Sequence, residues 1–174
     1  MATIKFTKCR ENVKEPVQAS GSAGLDIYAC FEEDYMKFLP GETRLVPTGL
    51  KSVIDPQYFV LLEERGSTGS KGIKRSAGVI DSDYRGEWFV AITNANSYVM
   101  YITKLDPLAT RKQDEPSFNE NTMEDHRIYY PYEKAIIQAI VLPKVDLDLE
   151  FITEEEFSEE TTERGEGKLG SSGH

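Results

Sequence analysis

Short runs rich in Val, Ile, Tyr and Phe recur between turn signals along most of this chain, and that rhythm restricts its fold more than any other feature. TIKFTK, LDIYAC, TRLVPTGLKSVI, YFVLLEE, GEWFVAITN, YVMYIT, AIIQAIVL and VDLDLEFI each have the composition of strands, and Pro40-Gly41 and Asp55-Pro56 mark turns between them. The pattern predicts an all-β sandwich or barrel. One segment looks helical. Thr153 followed by Glu156 has the form of a capping box, and the stretch to Thr162 reads either as a short helix or as a turn with a 3₁₀ piece.

With 174 residues the chain has room for one domain, spanning 1–174. At this size about 70% of the unfolded chain's surface is hidden on folding, so no disulfide or structural metal is required. Only Cys9 and Cys30 are present, without metal-site spacing, which suits a reducing cytoplasm. The longest apolar stretch, Ala135 to Leu142 around Gln138, is too short for a bilayer, and MATIKFTKCRENVKEP lacks the apolar core of a secretory signal. The expectation is a soluble cytoplasmic protein without a membrane partner. A formal charge of −10 has the wrong sign for holding a nucleic acid polymer. A small anion remains compatible, at a local site where basic groups, backbone amides or a metal ion overcome the general field.

Two segments differ from the strand rhythm. Residues 96–129 turn polar and irregular after YVMYIT and read as an insertion over the β core, either a surface elaboration or a functional loop. Residues 163–174, RGEGKLGSSGH after an acidic stretch, form either a frayed terminus or a segment that orders over a ligand.

Four places carry candidate chemistry. GEGKLG matches the dinucleotide fingerprint in letters but lacks the following helix, since the chain ends four residues later. Its glycines still let successive amides face one anion, with Arg164, Ser171 and Ser172 as added donors. RGSTGSKGIKR, from Arg65 to Arg75, is a second such segment, read as an anion loop or a solvated turn. In GVIDSDYRGEW, Asp81 and Asp83 would point to one side of an extended chain. Asp26, flanked by apolar residues in AGLDIYAC, must be partnered, bound to a metal's waters, or exposed on one face. His126 and His174 offer no triad, and no GxSxG or HExxH occurs.

Taken in order, these segments resemble the five motifs of the trimeric dUTPase family: AGLDIYAC, RGSTGSKG, GVIDSDYRGEW, the strand containing Gln138, and RGEGKLGSSG. The resemblance implies a jelly-roll-like β subunit in a homotrimer, with sites at subunit boundaries and a glycine-rich C-terminal lid. It implies hydrolysis of dUTP to dUMP and pyrophosphate with Mg²⁺. Asp81 would orient and deprotonate the water attacking the α-phosphorus, and Asp26 would hold the waters of the metal. Tyr84 would pack beneath the deoxyribose. The segment Ile73 to Ile80, including Gly78 and Val79, would form a hairpin whose backbone reads uracil. Arg65, Gly66 and Ser67 would bind phosphate, Gln138 would add a polar contact, and Arg164, Ser171 and Ser172 would clamp the outer phosphates, with Leu169 and Gly170 over the base.

The chain departs from the family at four points. Gly66 stands between Arg65 and the serine that must serve, Ser67. Ala135 stands where the family has Arg. Leu169 stands where an aromatic covers uracil, and the chain is longer between the third and fourth motifs, as in bacteriophage members. A dCTP deaminase-like enzyme of the same superfamily is the alternative, against which DSDYRGE speaks. The third reading is a regulatory protein of this fold that engages a protein partner through 96–129.

Overall fold

The structure, a computed structural model, describes residues 2–118 and 126–162. Among these residues twelve strands make four small sheets. β1 (Ile4–Lys8) pairs with β5 (Leu50–Ile54). β3 (Tyr35–Phe38), β10 (Met100–Thr103) and β11 (Ile128–Pro131) lie in the order β11-β10-β3. The other two run β2 (Gly24–Ile27), β12 (Ile137–Pro143), β6 (Tyr58–Glu63), β8 (Val79–Ile80), and β4 (Thr43–Pro47), β9 (Phe89–Asn94), β7 (Ile73–Ala77). All pairings are antiparallel except β10 with β11.

The period of two along each strand decides which face is core and which is left for chemistry. On β6, Val60 and Leu62 are buried, and on β12 so are Ile137 and Ala139. Gln138 therefore projects to the opposite face. The register sets it against Asp26 of β2 on one side and Glu63 of β6 on the other. A one-residue slip would turn this polar row into the core. Trp88 anchors the far end: it is fully buried, its indole Nε1 donates to Ser52 Oγ at 3.1 Å, and Phe6 packs edge-on at 5.3 Å.

Several expectations are corrected. TRLVPTGLKSVI is two strands in two sheets, broken at Thr48-Gly49, where Gly49 takes φ +69° and the Thr48 hydroxyl donates to the Trp88 carbonyl. The segment Ile73–Ile80 is not a paired hairpin, because β7 joins β9 while β8 joins β6. VDLDLEFI runs outside any strand, with Val145, Leu147, Leu149 and Phe151 exposed, since no neighbouring strand takes up its backbone groups among the described residues.

Nor is 96–129 irregular. It contains β10, whose Met100, Tyr101 and Ile102 are fully buried, the start of β11, and a helix, α2 (Pro107–Asp114). Asp106 caps α2 by accepting from Ala109 N at 2.9 Å, and proline fills the first helical position. The helix is tied down by Asp114, which accepts from Tyr35 Oη at 3.2 Å, Lys37 Nζ at 2.6 Å and Tyr101 Oη at 2.8 Å. Burial alone would raise the Asp114 carboxyl, but these bonds outweigh it and hold it below the ordinary carboxylate range.

Contacts divide the chain after Lys144. The second unit holds α3 (Glu154–Glu159), which starts in the expected capping box: Thr153 N donates to Glu156 Oε2 at 2.8 Å and Glu156 N to Thr153 Oγ1 at 3.2 Å. No helix among the described residues is long and apolar enough to cross a membrane.

Candidate active site

Three of the sequence segments converge on one cavity of about 390 Å³, lined by Gly24, Asp26, Arg65, Gly66, Ser67 and Gln138 with Val17, Ala19 and Ser22. Asp26 comes from β2, which is hydrogen-bonded to β12 on one side and to Val17 on the other. Arg65 follows β6 and precedes the single turn α1 (Gly66–Gly69). That turn is pinned by the buried Thr68, whose hydroxyl accepts from Arg65 N at 3.0 Å. The Arg65 guanidinium then reaches across to Asp26, with Nε 2.8 Å from Oδ1 and Nη2 donating to Oδ2 at 3.0 Å. Of the three readings open for Asp26, the structure selects a partnered carboxylate.

Supporting contacts hold this pair in place. Gln138 Nε2 donates to the Glu64 carbonyl at 2.8 Å, so its amide is oriented while it lines the cavity. The buried Tyr130 donates its hydroxyl to the Ala135 carbonyl at 2.6 Å, and that carbonyl also faces Arg65 Nη1 at 3.4 Å. Burial pushes the Tyr130 phenol up, which keeps it a donor. A methyl group on Gly24 would stand 3.1 Å from Gln138 Oε1, so the small residue leaves room for the amide. A side chain at Gly66 would meet nothing within 4 Å, and Ser67 Oγ sits 3.3 Å from Arg65 Nη1.

A second cavity, about 560 Å³, is lined by Phe59, Val79, Asp81, Ser82, Asp83 and Lys144 and shares no residue with the first. Buried Ile80 ends β8 and delivers Asp81 into a turn, closed by Tyr84 N donating to the Asp81 carbonyl at 3.2 Å. The chain here is therefore not extended, and the expectation that Asp81 and Asp83 share one side of a strand is replaced by a turn that carries both into one cavity. Tyr84 is partly exposed, donates to the Glu87 carbonyl at 2.9 Å, and packs against the α-carbon of Gly86. Glu87 is gripped by Arg10, whose Nε and Nη2 lie 2.6 and 3.0 Å from its two oxygens. The loop 81–88 is thus braced at both ends.

Ile73 and Ile80 are buried supports on either side of Gly78, where any side chain would collide with the Leu62 carbonyl at 2.7 Å. Arg164, Leu169, Gly170, Ser171 and Ser172 lie outside the described residues. Among the described residues no group of three or more His, Cys, Asp or Glu could hold a metal. A single carboxylate beside an amide fits instead a hard cation such as Mg²⁺ that keeps its waters and takes further ligands from a polyanion. Sequence reasoning missed Gly24, Glu64 and Tyr130. Gly24 stood beside Asp26 in the first motif, whereas nothing in the sequence marks Tyr130, whose role depends on a neighbouring strand.

Comparison with known proteins agrees with this geometry. The dUTPase family profile matches residues 14–110. The deoxyuridine 5'-triphosphate nucleotidohydrolase of Paraburkholderia xenovorans is 33% identical over 175 residues, covering 98% of this chain and 96% of the relative. That of Citrobacter koseri is 37% identical over 158 residues, covering 88% and 82%. The dUTPase of Staphylococcus bacteriophage 80alpha, solved with dUpNHpp, superposes with a TM-score of 0.70 at 23% identity over 99% of both chains. A mutant dUTPase from phage phi11 of S. aureus, described with a coordinated structural Mg(II) ion, reaches a TM-score of 0.64 at 18% identity over 87% of this chain and 97% of its own. The all-β, jelly-roll-like expectation is met by this shared fold.

Proposed function

The chain belongs to the dUTPase family and hydrolyses dUTP, and from that premise we propose how its own residues carry the reaction. Arg65 exchanges Asp26 for phosphate oxygens, to which its planar fork is suited, while Ser67 and Gln138 add polar contacts to the same chain of phosphates. Asp26, released, faces the waters of a Mg²⁺ ion. That ion, when bound, supplies positive charge against the triphosphate. Asp81 orients a water and takes its proton as the water attacks the α-phosphorus. The bond from that phosphorus to the bridging oxygen breaks, giving dUMP and pyrophosphate.

Tyr84 forms the floor under the deoxyribose, held by the Glu87 carbonyl. The backbone around Gly78, Val79 and Ile80 reads the base. Arg164, Ser171 and Ser172 close on the outer phosphates, with Leu169 and Gly170 over the pyrimidine. The enzyme acts as a cytoplasmic homotrimer.

One observation carries this reading: the residues assigned to phosphate and those assigned to water and nucleoside occupy two cavities with no lining residue in common. A site that unites them is built where one protomer's first cavity meets another's second, which a trimer provides three times over.

The test is product analysis of the purified chain with Mg²⁺ and dUTP, dCTP, dTTP or UTP in ¹⁸O-labelled water. The expected result is turnover of dUTP with the label in dUMP. Label in pyrophosphate would overturn attack at the α-phosphorus, and ammonia from dCTP would replace the assignment with a deaminase.

A further inference from the structure

The two arms of the segment 73–80 diverge: Arg75 on β7 lies opposite Ile92 of β9, whereas Ile80 on β8 lies opposite Val60 of β6. The space between the arms is crossed by the Arg75 side chain. A methyl group on Gly78 would stand 2.5 Å from Arg75 Cδ and 3.2 Å from its Nε, so the aliphatic stem lies directly against the Gly78 α-carbon. The far end is tethered, because Nη2 donates to Glu63 Oε1 at 3.0 Å. The near end is pinned as well, by Arg75 N donating to Glu64 Oε1 at 2.9 Å, a bond that holds the Glu64 carboxyl below its ordinary range. Between these two anchors, Nε is shielded from solvent and meets no hydrogen-bond acceptor among the described residues.

We propose that Arg75 is a latch that occupies the pyrimidine slot beside Gly78 in the free protein and is displaced when the base inserts. This rests on the assignment of residues 73–80 to base recognition. Three features make displacement feasible. The Glu63 tether is partly exposed, so water and salt weaken it. A charged donor buried without an acceptor is unfavourable, and swinging outward returns Nε to water. The stem is apolar, so a flat pyrimidine face takes over the contact with Gly78 that the methylenes give up. While the latch is closed, the measured affinity for the nucleoside is the intrinsic affinity reduced by the fraction of molecules that are open.

The latch predicts the sign of an effect. Arg75→Ala opens the slot permanently, so deoxyuridine should bind about tenfold more tightly than to the unaltered chain, by calorimetry on the full-length protein. Pyrophosphate, which has no base, should bind equally to both. Glu63→Gln keeps the stem and removes only the charge that tethers it, so it should tighten deoxyuridine binding in the same direction, and it carries the test if Arg75→Ala does not fold. Deoxyuridine binding that is unchanged or weaker in the folded variants overturns the latch, because Arg75 would then be neutral or a contact residue. Failure of the unaltered chain to split dUTP, with tighter deoxyuridine binding in the variants, would instead overturn the functional assignment and leave the latch standing.

Discussion

Arg65 grips Asp26 with two edges of its guanidinium, although the two residues are separated by 39 positions in the chain. Both side chains are about one third exposed, at 30% and 33%, so the pair contributes only about 1 kcal/mol or less. A triphosphate with several negative charges can therefore draw Arg65 away at little cost. Asp26→Asn should leave the fold intact and raise the Mg²⁺ concentration needed for half-maximal turnover by about 10- to 100-fold. A magnesium titration of kcat/KM checks this, and an unshifted midpoint removes Asp26 from its role.

Asp81→Asn should keep nucleotide binding and lower turnover by about two to four orders of magnitude, the range of a positioned general base. Binding of a non-hydrolysable dUTP analogue, measured beside kcat, separates lost chemistry from lost affinity. Unchanged kcat would assign the water to another group.

Gly86 lies under the Tyr84 ring, and a side chain there would strike the phenol. Gly86→Ala should move that ring and lower the preference for dUTP over UTP, because the wall that leaves no space for a 2′-hydroxyl is no longer held in position. Rejection of an added hydroxyl by an unshaped apolar pocket reaches only about 100-fold. The ratio of kcat/KM values for the two nucleotides is the measurement, and a preserved ratio would free Tyr84 from this task.

Asp114 anchors α2 with its side chain 10% exposed. Its carboxyl lies below the ordinary value of 3.8, so its contribution to stability is complete above that pH and is lost as the pH falls through the depressed folded value. Asp114→Asn should destabilise the protein by about 2 kcal/mol at neutral pH, through hydrogen bonds lost to Lys37 and two tyrosines. Thermal melts of both proteins should converge on acidification. A gap that persists in strong acid would contradict the linkage.

Removal of residues 163–174 should leave the melting temperature within the scatter of the intact chain and reduce kcat/KM for dUTP. The contrast arises because those residues are assigned to the closed site and not to the core. Loss of folding in the truncated chain would refute that assignment.

Most strands were legible because their inward residues alternate, as Val60 and Leu62 do on β6. What was not legible had other causes. β3 has the same alternation, with Met36 and Phe38 buried, but it is four residues long and its Lys37 points to Asp114. α2 shows no apolar stripe, since only Thr110 and Arg111 of the helix are buried and its hold is a cap at one end and a carboxylate at the other. VDLDLEFI carries strand alternation without a strand beside it, a reminder that periodicity describes capacity and pairing needs a partner. At the site, the identities of Asp26, Arg65 and Gln138 were visible as motif letters. Their meeting was not, because it depends on the β2-β12-β6 register, which no single segment encodes.

The divergence of β7 and β8 also means that no tight turn sets the width of the nucleobase cleft. It is inherited from the spacing of two layers, one carrying Ile92 and the other Val60, both wholly inaccessible to water. Selectivity at such a cleft is a mechanical property of the interior. Trimming a methyl group from either buried side chain would retune which heterocycle fits, although neither ever touches it.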